Sequence, residues 1–333
     1  MANLPPLEPG DIAPRFVLPT ADGAGRFDSL DDTLAGKPMV LAFAPEPGAE
    51  LTQALLRRAP EFGASGATAR AVLRRGAKDL GELAAVDGKG DVTAFFAPKG
   101  QAVLVIARNG HLFQRLEGDG GDVVERALGM VQAMAAEATS RPAERQAPVL
   151  IVPDVLSKVD CQRLITVYHM DGNVFEEPGH GVKNRTTDYK MRIPEYGRKD
   201  RIDHWVINQK TMSFISDRLE RRLFPEIQKA FHYKITRHES YRIGCYEGER
   251  GGELHGHRDN VQPNVAHRRF ACSINLNAED FEGGELVFPE FGGQRFSPRT
   301  GEAIVFSSSI LHEPLHVTSG RRLVLLAFLF GDT

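Results

Sequence analysis

Two domains of different class are predicted: an α/β half first, then a mostly-β half of sandwich or jelly-roll type with supporting helices. Three observations predict this. The chain has 333 residues, about twice the length of a typical domain. Up to about residue 138, apolar strand-like runs alternate with helical periodicities. From Thr236 onward the pattern turns to short strands parted by glycine-bearing turns. Between the halves, helix formers give way to proline and charge at Thr139-Ser140-Arg141-Pro142 and Glu144-Arg145. The expected organisation is therefore a first domain over 1–138, a linker over 139–147 and a second domain over 148–333.

Composition supports two ordinary cores. Apolar residues make up 41% and charged residues 26% of the chain, usual values for globular proteins. A net charge of −3 gives no reason to expect a nucleic acid or an anionic membrane surface as partner. The basic clusters Arg57-Arg58, Arg74-Arg75 and Arg221-Arg222 are balanced by acids and read as solvated faces. No run reaches 18 consecutive apolar residues, so no membrane-spanning helix is expected. Met1 to Pro6 has neither a basic nor an apolar leader region, and a cytoplasmic protein is the expectation. The three cysteines, Cys161, Cys245 and Cys272, stand alone with no C-x-x-C. Neither a zinc site nor a disulfide framework is expected, and each reads as a small buried hydrophobe.

In the first domain, Pro9 to Leu18 leads to a polar turn at Asp22-Gly23, then Leu34-Ala35-Gly36-Lys37-Pro38 and an apolar strand over Met39 to Ala44. A helix is expected over Glu50 to Arg58, a strand over Ala69 to Leu73, a short helix near Ala77 to Ala84 and a strand over Val92 to Ala97. Gln101 to Ala107 and His111 to Leu116 read as a hairpin closed by the two-residue signal Asn109-Gly110. A final helix over Asp122 to Ala136 gathers Val123, Val124, Ala127, Leu128, Val131 and Met134 on one side.

In the second domain, Val149 to Val152 is an opening strand stopped by Pro153. Ser157 and Asp160 have the spacing of an N-cap pair before a helix through Cys161, Leu164, Ile165, Val167 and Tyr168. Residues 171–201 are polar and basic and read as a long loop, either a lid or binding loop or a partly disordered insertion. A long helix is expected from about Val206 to Phe231, kinked or broken at Pro225. Strands follow over His238 to Tyr246, Leu254 to Asp259, Phe270 to Leu276, Glu285 to Phe288, Ala303 to Phe306 and Arg322 to Phe330.

The chemistry is carried by His257-Arg258-Asp259 together with His312. Side chains two apart on a strand share a face, so His257 and Asp259 would point the same way. Two imidazoles and one carboxylate on one side of a divalent metal leave positions open and point to non-haem Fe(II). A lone H-x-D is common by chance. Its weight comes from Leu311-His312-Glu313 and, about ten residues on, Gly320-Arg321-Arg322 at a strand start.

With Cys245-Tyr246-Glu247-Gly248, Phe281-Glu282-Gly283-Gly284-Glu285-Leu286, Phe288-Pro289-Glu290, and Gly301 with Val305-Phe306, these residues resemble the Fe(II)/2-oxoglutarate-dependent oxygenase family, nearest its prolyl-hydroxylase-like branch. The resemblance covers about 180 residues in the expected order. It implies a double-stranded β-helix, a jelly-roll variant, fed with Fe(II), 2-oxoglutarate and O₂ and releasing succinate and CO₂. His257, Asp259 and His312 would bind the metal. Arg322 would hold the distal carboxylate of 2-oxoglutarate, because a guanidinium fork matches a carboxylate; Arg321 would face the other side of the strand. Tyr246 matches a tyrosine that relatives place near the co-substrate, and a core aromatic is the alternative. Asn275 lies on a polar face with Ser273 and Asn277 that points either into the site, towards co-substrate, or to solvent. Asn260, Arg268 and Arg269 are candidates to orient ligands or meet a substrate. His316 reads as structural or supporting, and His204, His238 and His267 as surface or core residues. His255-x-His257 leaves a cupin-type metal enzyme as an alternative, but Asp259 and the Gly-Arg-Arg after His312 favour the oxygenase.

The opening of the first domain resembles the peroxiredoxin branch of thioredoxin-like folds. Phe43-Ala44-Pro45 runs into Glu46-Pro47-Gly48-Ala49-Glu50-Leu51-Thr52, and no cysteine precedes Cys161. A thiolate nucleophile is required for that chemistry, so thiol peroxidase and disulfide activity are excluded. What remains is a scaffold for packing, homodimerisation or presenting a substrate. The expected activity is hydroxylation of an amino-acid, peptide or other small-molecule substrate that the residues do not identify. Because His-x-Asp supplies a carboxylate, halogenation is disfavoured. The competing class is a non-catalytic metal- and 2-oxoglutarate-binding sensor or interaction protein.

Overall fold

A computed structural model describes residues 6–31, 34, 36–76, 78–137, 146–170, 174–175, 187–193, 201–248 and 256–332. The chain divides into two units, Met1–Arg141 and Pro142–Thr333. Most of the expected linker lies outside the described residues, as does His255.

The first unit starts with the pair β1 (Val17–Pro19) and β2 (Arg26–Asp28). Then come β3 (Met39–Ala44), α1 (Glu50–Ala64), β4 (Thr68–Leu73), a 3₁₀ segment (Lys78–Leu83), β5 (Ala84–Val86), α2 (Asp91–Phe96), β6 (Ala102–Ile106), β7 (Leu112–Glu117) and α3 (Gly121–Glu137). Five strands form one sheet in the order β5-β4-β3-β6-β7. β3, β4 and β5 run parallel, while β6 and β7 are antiparallel additions. Alternation along β3 sorts its side chains. Val40, Ala42 and Ala44 pack with Leu51, Leu55, Val124 and Val131 of α1 and α3. Met39, Leu41 and Phe43 pack with Phe16 and Phe96 on the other face.

Two expectations fail here. Val92 to Ala97 is not a strand but α2. Asp87 accepts bonds from the Gly90 and Thr93 amides and the Thr93 hydroxyl at 2.9, 2.7 and 2.7 Å, which holds the first turn. Val92 and Phe96, four apart, then share a buried side. The β6–β7 hairpin closes through three residues rather than two. Ala107 donates to His111 O at 2.8 Å, and Gly110 takes the left-handed position at φ +86°.

The second unit runs β8 (Val149–Val152), α4 (Lys158–Met170), β9 (Val174–Phe175), β10 (Tyr189–Ile193), β11 (Arg201–Trp205), α5 (Gln209–Arg222), α6 (Phe224–Phe231), β12 (Arg237–His238), β13 (Arg242–Glu247) and β14 (Phe270–Asn275). It continues with β15 (Phe281–Gly283), β16 (Leu286–Val287), β17 (Arg295–Phe296), β18 (Ala303–Ser307), β19 (Glu313–Pro314) and the long β20 (Val317–Phe330). The large sheet has the order β8-β18-β14-β20-β13-β11-β10-β9, with β12 and β15 also on β20. A small sheet has the order β17-β16-β19.

Period-two alternation gives the large sheet two distinct faces. Cys245, Cys272, Ile274, Val305, Leu323 and Leu325 pack outward against Leu164, Ile215, Leu219 and Ile227 of the helices. Ala271, Ile304, Phe306 and Phe328 point inward and pack with Leu286, Phe288 and Phe296 of the small-sheet side. Ser157 and Asp160 cap α4 reciprocally at 3.1 Å each, as their spacing implied. The expected helix over 206–231 is two helices broken at Leu223. Pro225 sits in the first turn of α6, where its missing N–H costs nothing. Part of the expected loop over 171–201 is described, and it contains β9 and β10. The β20 ladder begins at Val317, five residues before the expected start. Among the described residues no helix is long and apolar enough to cross a membrane.

Candidate metal centre and its pocket

His257 and Asp259 do not lie on a regular strand, contrary to the sequence reading; only residues 256–259 of that segment are described. Instead His257 forms a single antiparallel bridge with His312. Their amides and carbonyls exchange two bonds, at 3.0 and 3.1 Å. The Asp259 amide, two residues on, is anchored to Ser308 O just past β18 at 3.0 Å. Three candidate ligands are thus fixed by backbone pairing at the end of a sheet.

The geometry is compact. One ligand atom from each of His257, Asp259 and His312 lies within 4.8 Å of the others. His257 Nε2 is 3.4 Å from Asp259 Oδ1, and His312 Nε2 is 3.5 Å from Oδ2. His312 Nδ1 lies 3.2 Å from Ile310 O. Donation there leaves Nε2 unprotonated and turned towards the carboxylate. Burial lowers the His312 pKa, with the Asp259 charge opposing and His257 adding to the fall. Burial acts to raise the Asp259 pKa, but the His257 hydrogen bond and the charges of His312, His257 and Arg268 outweigh it and the net shift is downward. A neutral imidazole and an ionised carboxylate are the states a divalent metal requires, so the donor set fits the ion. Phe306 packs 4.6 Å from the His312 ring and shields that side.

Neighbouring groups hold the ligands in place. Arg258 turns away from the triad, pairs with Glu290 at 2.7 Å and also donates to Ser309 O. Glu290 accepts the Leu311 amide at 2.9 Å, which steadies the approach to His312. Arg268 binds Glu239 with two bonds, at 2.6 and 2.7 Å, and donates a third to Asp259 O at 3.1 Å. Asn260 donates to Ser309 Oγ at 2.7 Å.

The inner face of the large sheet continues from the triad into a cavity lined by Arg201, Arg242, Tyr246, Arg268 and Arg322, with apolar walls from Ala271, Phe306, Val324, Leu326 and Phe328. Tyr246 pairs across the ladder with Arg322. Arg322 is only 4% exposed, whereas the Arg321 side chain is 63% exposed and pairs with Glu247 at 3.3 Å. Arg322 Nε donates to Asn275 Oδ1 at 3.0 Å. Asn275 is buried, gives its amide N–H to Pro298 O at 2.7 Å, and is not among the lining residues. It reaches the pocket through Arg322. The Tyr246 hydroxyl accepts from Arg201 at 2.8 Å, and Arg201 meets Asp203 at 2.7 and 2.8 Å. Gly244 leaves room beside them: a Cβ there would make a tight 3.1 Å contact with Asp203 Oδ1.

The other described histidines stand outside the triad. His204 is buried against Asp188 at 3.0 Å, and His267 pairs with Glu239 at 3.0 Å. His238 stacks on Tyr241, and the His316 carbonyl accepts the Gly284 amide. Sequence reasoning overlooked Arg201, Asp203, Glu239 and Arg242. The signal was present in β13, where Arg242, Gly244 and Tyr246 alternate with Ile243 and Cys245.

Residues 241–330 match the family model of the 2OG-Fe(II) oxygenase superfamily. Over 125 residues the chain is 30% identical to a PKHD-type hydroxylase of Colwellia psychrerythraea, an alignment covering 33% of this chain and 56% of that protein. The chain thus spans little more than half the length of this curated relative. Among solved structures it is similar to a viral collagen prolyl hydroxylase of Paramecium bursaria Chlorella virus-1, with 18% identity, TM-score 0.38, and coverage of 54% of this chain and 94% of that one. A putative thiol:disulfide interchange protein DsbE of Chlorobium tepidum matches with 20% identity and TM-score 0.32 over 38% of this chain and 99% of its own. These structural likenesses are too distant to carry weight. The family match stands without them: the C-terminal region carries a 2OG-Fe(II) oxygenase domain, and Fe(II) and 2-oxoglutarate are the cofactor and co-substrate that the family implies.

Proposed function

We propose that the chain is an Fe(II)- and 2-oxoglutarate-dependent dioxygenase that hydroxylates an amino-acid or peptide side chain, releasing succinate and CO₂. One observation supports it above the rest: His257, Asp259 and His312 converge within 4.8 Å beside a pocket that also holds Arg322. His257, Asp259 and His312 would hold the iron. Bound there, Fe(II) supplies oxidation by O₂ coupled to decarboxylation of 2-oxoglutarate.

The chain's own residues do the positioning. Arg322, its Nε fixed by Asn275, offers its remaining N–H groups to the distal carboxylate of 2-oxoglutarate. Tyr246, its oxygen already accepting from Arg201, has its own proton to give to that ligand. Phe306, Val324, Leu326 and Phe328 keep water from the space between. In this reading the second unit is a double-stranded β-helix, and the first is a thioredoxin-like scaffold without thiol chemistry that serves packing or self-association.

Succinate release from 2-oxoglutarate tests the activity. Wild-type chain with added Fe(II) should release it even without substrate, and Asp259→Ala should not. Metal and 2-oxoglutarate binding without any succinate would instead indicate a sensor.

A further inference from the structure

We propose that the substrate carries a carboxylate, as an amino acid or an acidic peptide side chain, and that Arg242 receives it. This rests on the oxygenase reading above and names its substrate class.

Charge in the pocket is unbalanced. Four arginines line it, and three carboxylates stand against them: Asp203, Glu239 and Asp259. Fe(II) and 2-oxoglutarate carry equal and opposite charge, so loading them leaves one positive charge over. Burying an uncompensated cation is costly, and an anionic substrate removes that cost.

The surplus falls on Arg242. Arg201 is taken by Asp203, and Arg268 by Glu239 and Asp259 O. Arg322 serves 2-oxoglutarate. Arg242 Nη2 lies 3.3 Å from Glu239 Oε2, an oxygen that Arg268 already holds at 2.7 Å. Arg242 Nε is buried and has no hydrogen-bond partner among the described residues. Its guanidinium Cζ sits over the Trp205 ring, 3.9 Å from the ring centroid, a contact that helps hold the fork in place.

Position separates this group from the co-substrate arginine. Arg242 stands opposite Leu326 and Tyr246 opposite Arg322. Four residues of strand separate the two rungs, roughly 13 Å. A carboxylate at Arg242 is therefore a second position, on the same inner face as the triad.

Trp205 is the single tryptophan of the chain, so its fluorescence reports ligands arriving at Arg242. Full-length chain is loaded with Mn(II), and 2-oxoglutarate binding is recorded first under argon. Aspartate and glutamate are then titrated against their diamides, which carry no carboxylate, and acetyl-Gly-Asp-Gly-amide and acetyl-Gly-Glu-Gly-amide against their Asn and Gln counterparts. Acids should give a saturable change, with the amides weaker by about tenfold or more, the loss of a charge-assisted bond. A response to free amino acids alone marks a small-molecule substrate, and a response to the blocked peptides marks a peptide. No saturable change with any acid, or equal affinity for acid and amide, overturns the proposal. Arg242→Gln should abolish the response and Arg242→Lys should restore part of it. A full response in a folded Arg242→Gln chain also overturns the proposal. Should that variant fail to fold, the wild-type comparison of acid with amide decides. Failure of the first step, 2-oxoglutarate binding, contradicts the oxygenase reading itself.

Discussion

A lysine at position 322 would keep the charge and lose the fork. Arg322 is buried with its Nε on Asn275, so a point-charge ammonium cannot reproduce both the internal bond and a two-bonded grip on a carboxylate. Arg322→Lys should raise the Kd for 2-oxoglutarate by about tenfold or more, measured by calorimetry; an unchanged Kd would place the co-substrate elsewhere. Glu239 gives a second test at this scale. Burial acts to raise its pKa, but Arg268, then Arg242 and His267, outweigh this and hold it below the usual 4.5. Its ionised form therefore stabilises the fold above about pH 4.5, and that contribution is lost as pH falls through the depressed value. In Glu239→Gln the acid-side slope of stability, followed by urea unfolding, should be shallower than in wild type. That His257, Asp259 and His312 come together was legible from the His-x-Asp, the later His and the family resemblance they carry, and the same resemblance singled out Arg322. The arginine-carboxylate pairs of the pocket were not. Arg201 and Asp203 fell within or beside a stretch whose polarity reads as loop, and Arg242 meets Trp205 only through the pairing of β11 with β13.

At the scale of elements, α2 shows where local pattern misleads. Val92, Phe95 and Phe96 are good strand formers, yet Asp87 supplies a ready acceptor for the first helical amides. Asp87→Ala should destabilise the first unit by about 2 kcal/mol, read from its thermal unfolding. No loss of stability would mean that packing alone holds α2. Gly301 is the counterpart in the second unit. It takes φ +81°, and a Cβ there would lie 2.0 Å from Leu156 O. It also bonds Asn275 O and Leu156 N, tying α4's approach to β14. Gly301→Ala should cost more than about 2 kcal/mol, and a near-neutral result would show that this junction yields. The break at Leu223 and the N-cap pair at Ser157 and Asp160 were readable because proline and capping chemistry act locally. The early start of β20 was not: Val317 to Arg321 are mostly polar and exposed, and they extend because β15 and β13 pair with them.

Across the whole molecule, the two units divide the chemistry unevenly. All three cysteines lie buried in the second unit, and its large sheet turns one face to helices and the other to His257, Asp259, His312 and the arginines. That division follows from alternation on β13, β14 and β20, which sends Ile243, Cys245, Cys272, Ile274, Leu323 and Leu325 to the helices and Arg242, Tyr246, Ser273, Asn275 and Arg322, set among Ala271, Val324, Leu326 and Phe328, to the other face. The central claim is that three side chains and one guanidinium form a joint site for a metal and 2-oxoglutarate. Calorimetric titration of the full chain with 2-oxoglutarate, with and without Mn(II), tests it most directly. One equivalent should bind per chain, only with the metal present, and Asp259→Ala should abolish that binding. Binding that is indifferent to Mn(II), or that survives intact in Asp259→Ala, would contradict the account.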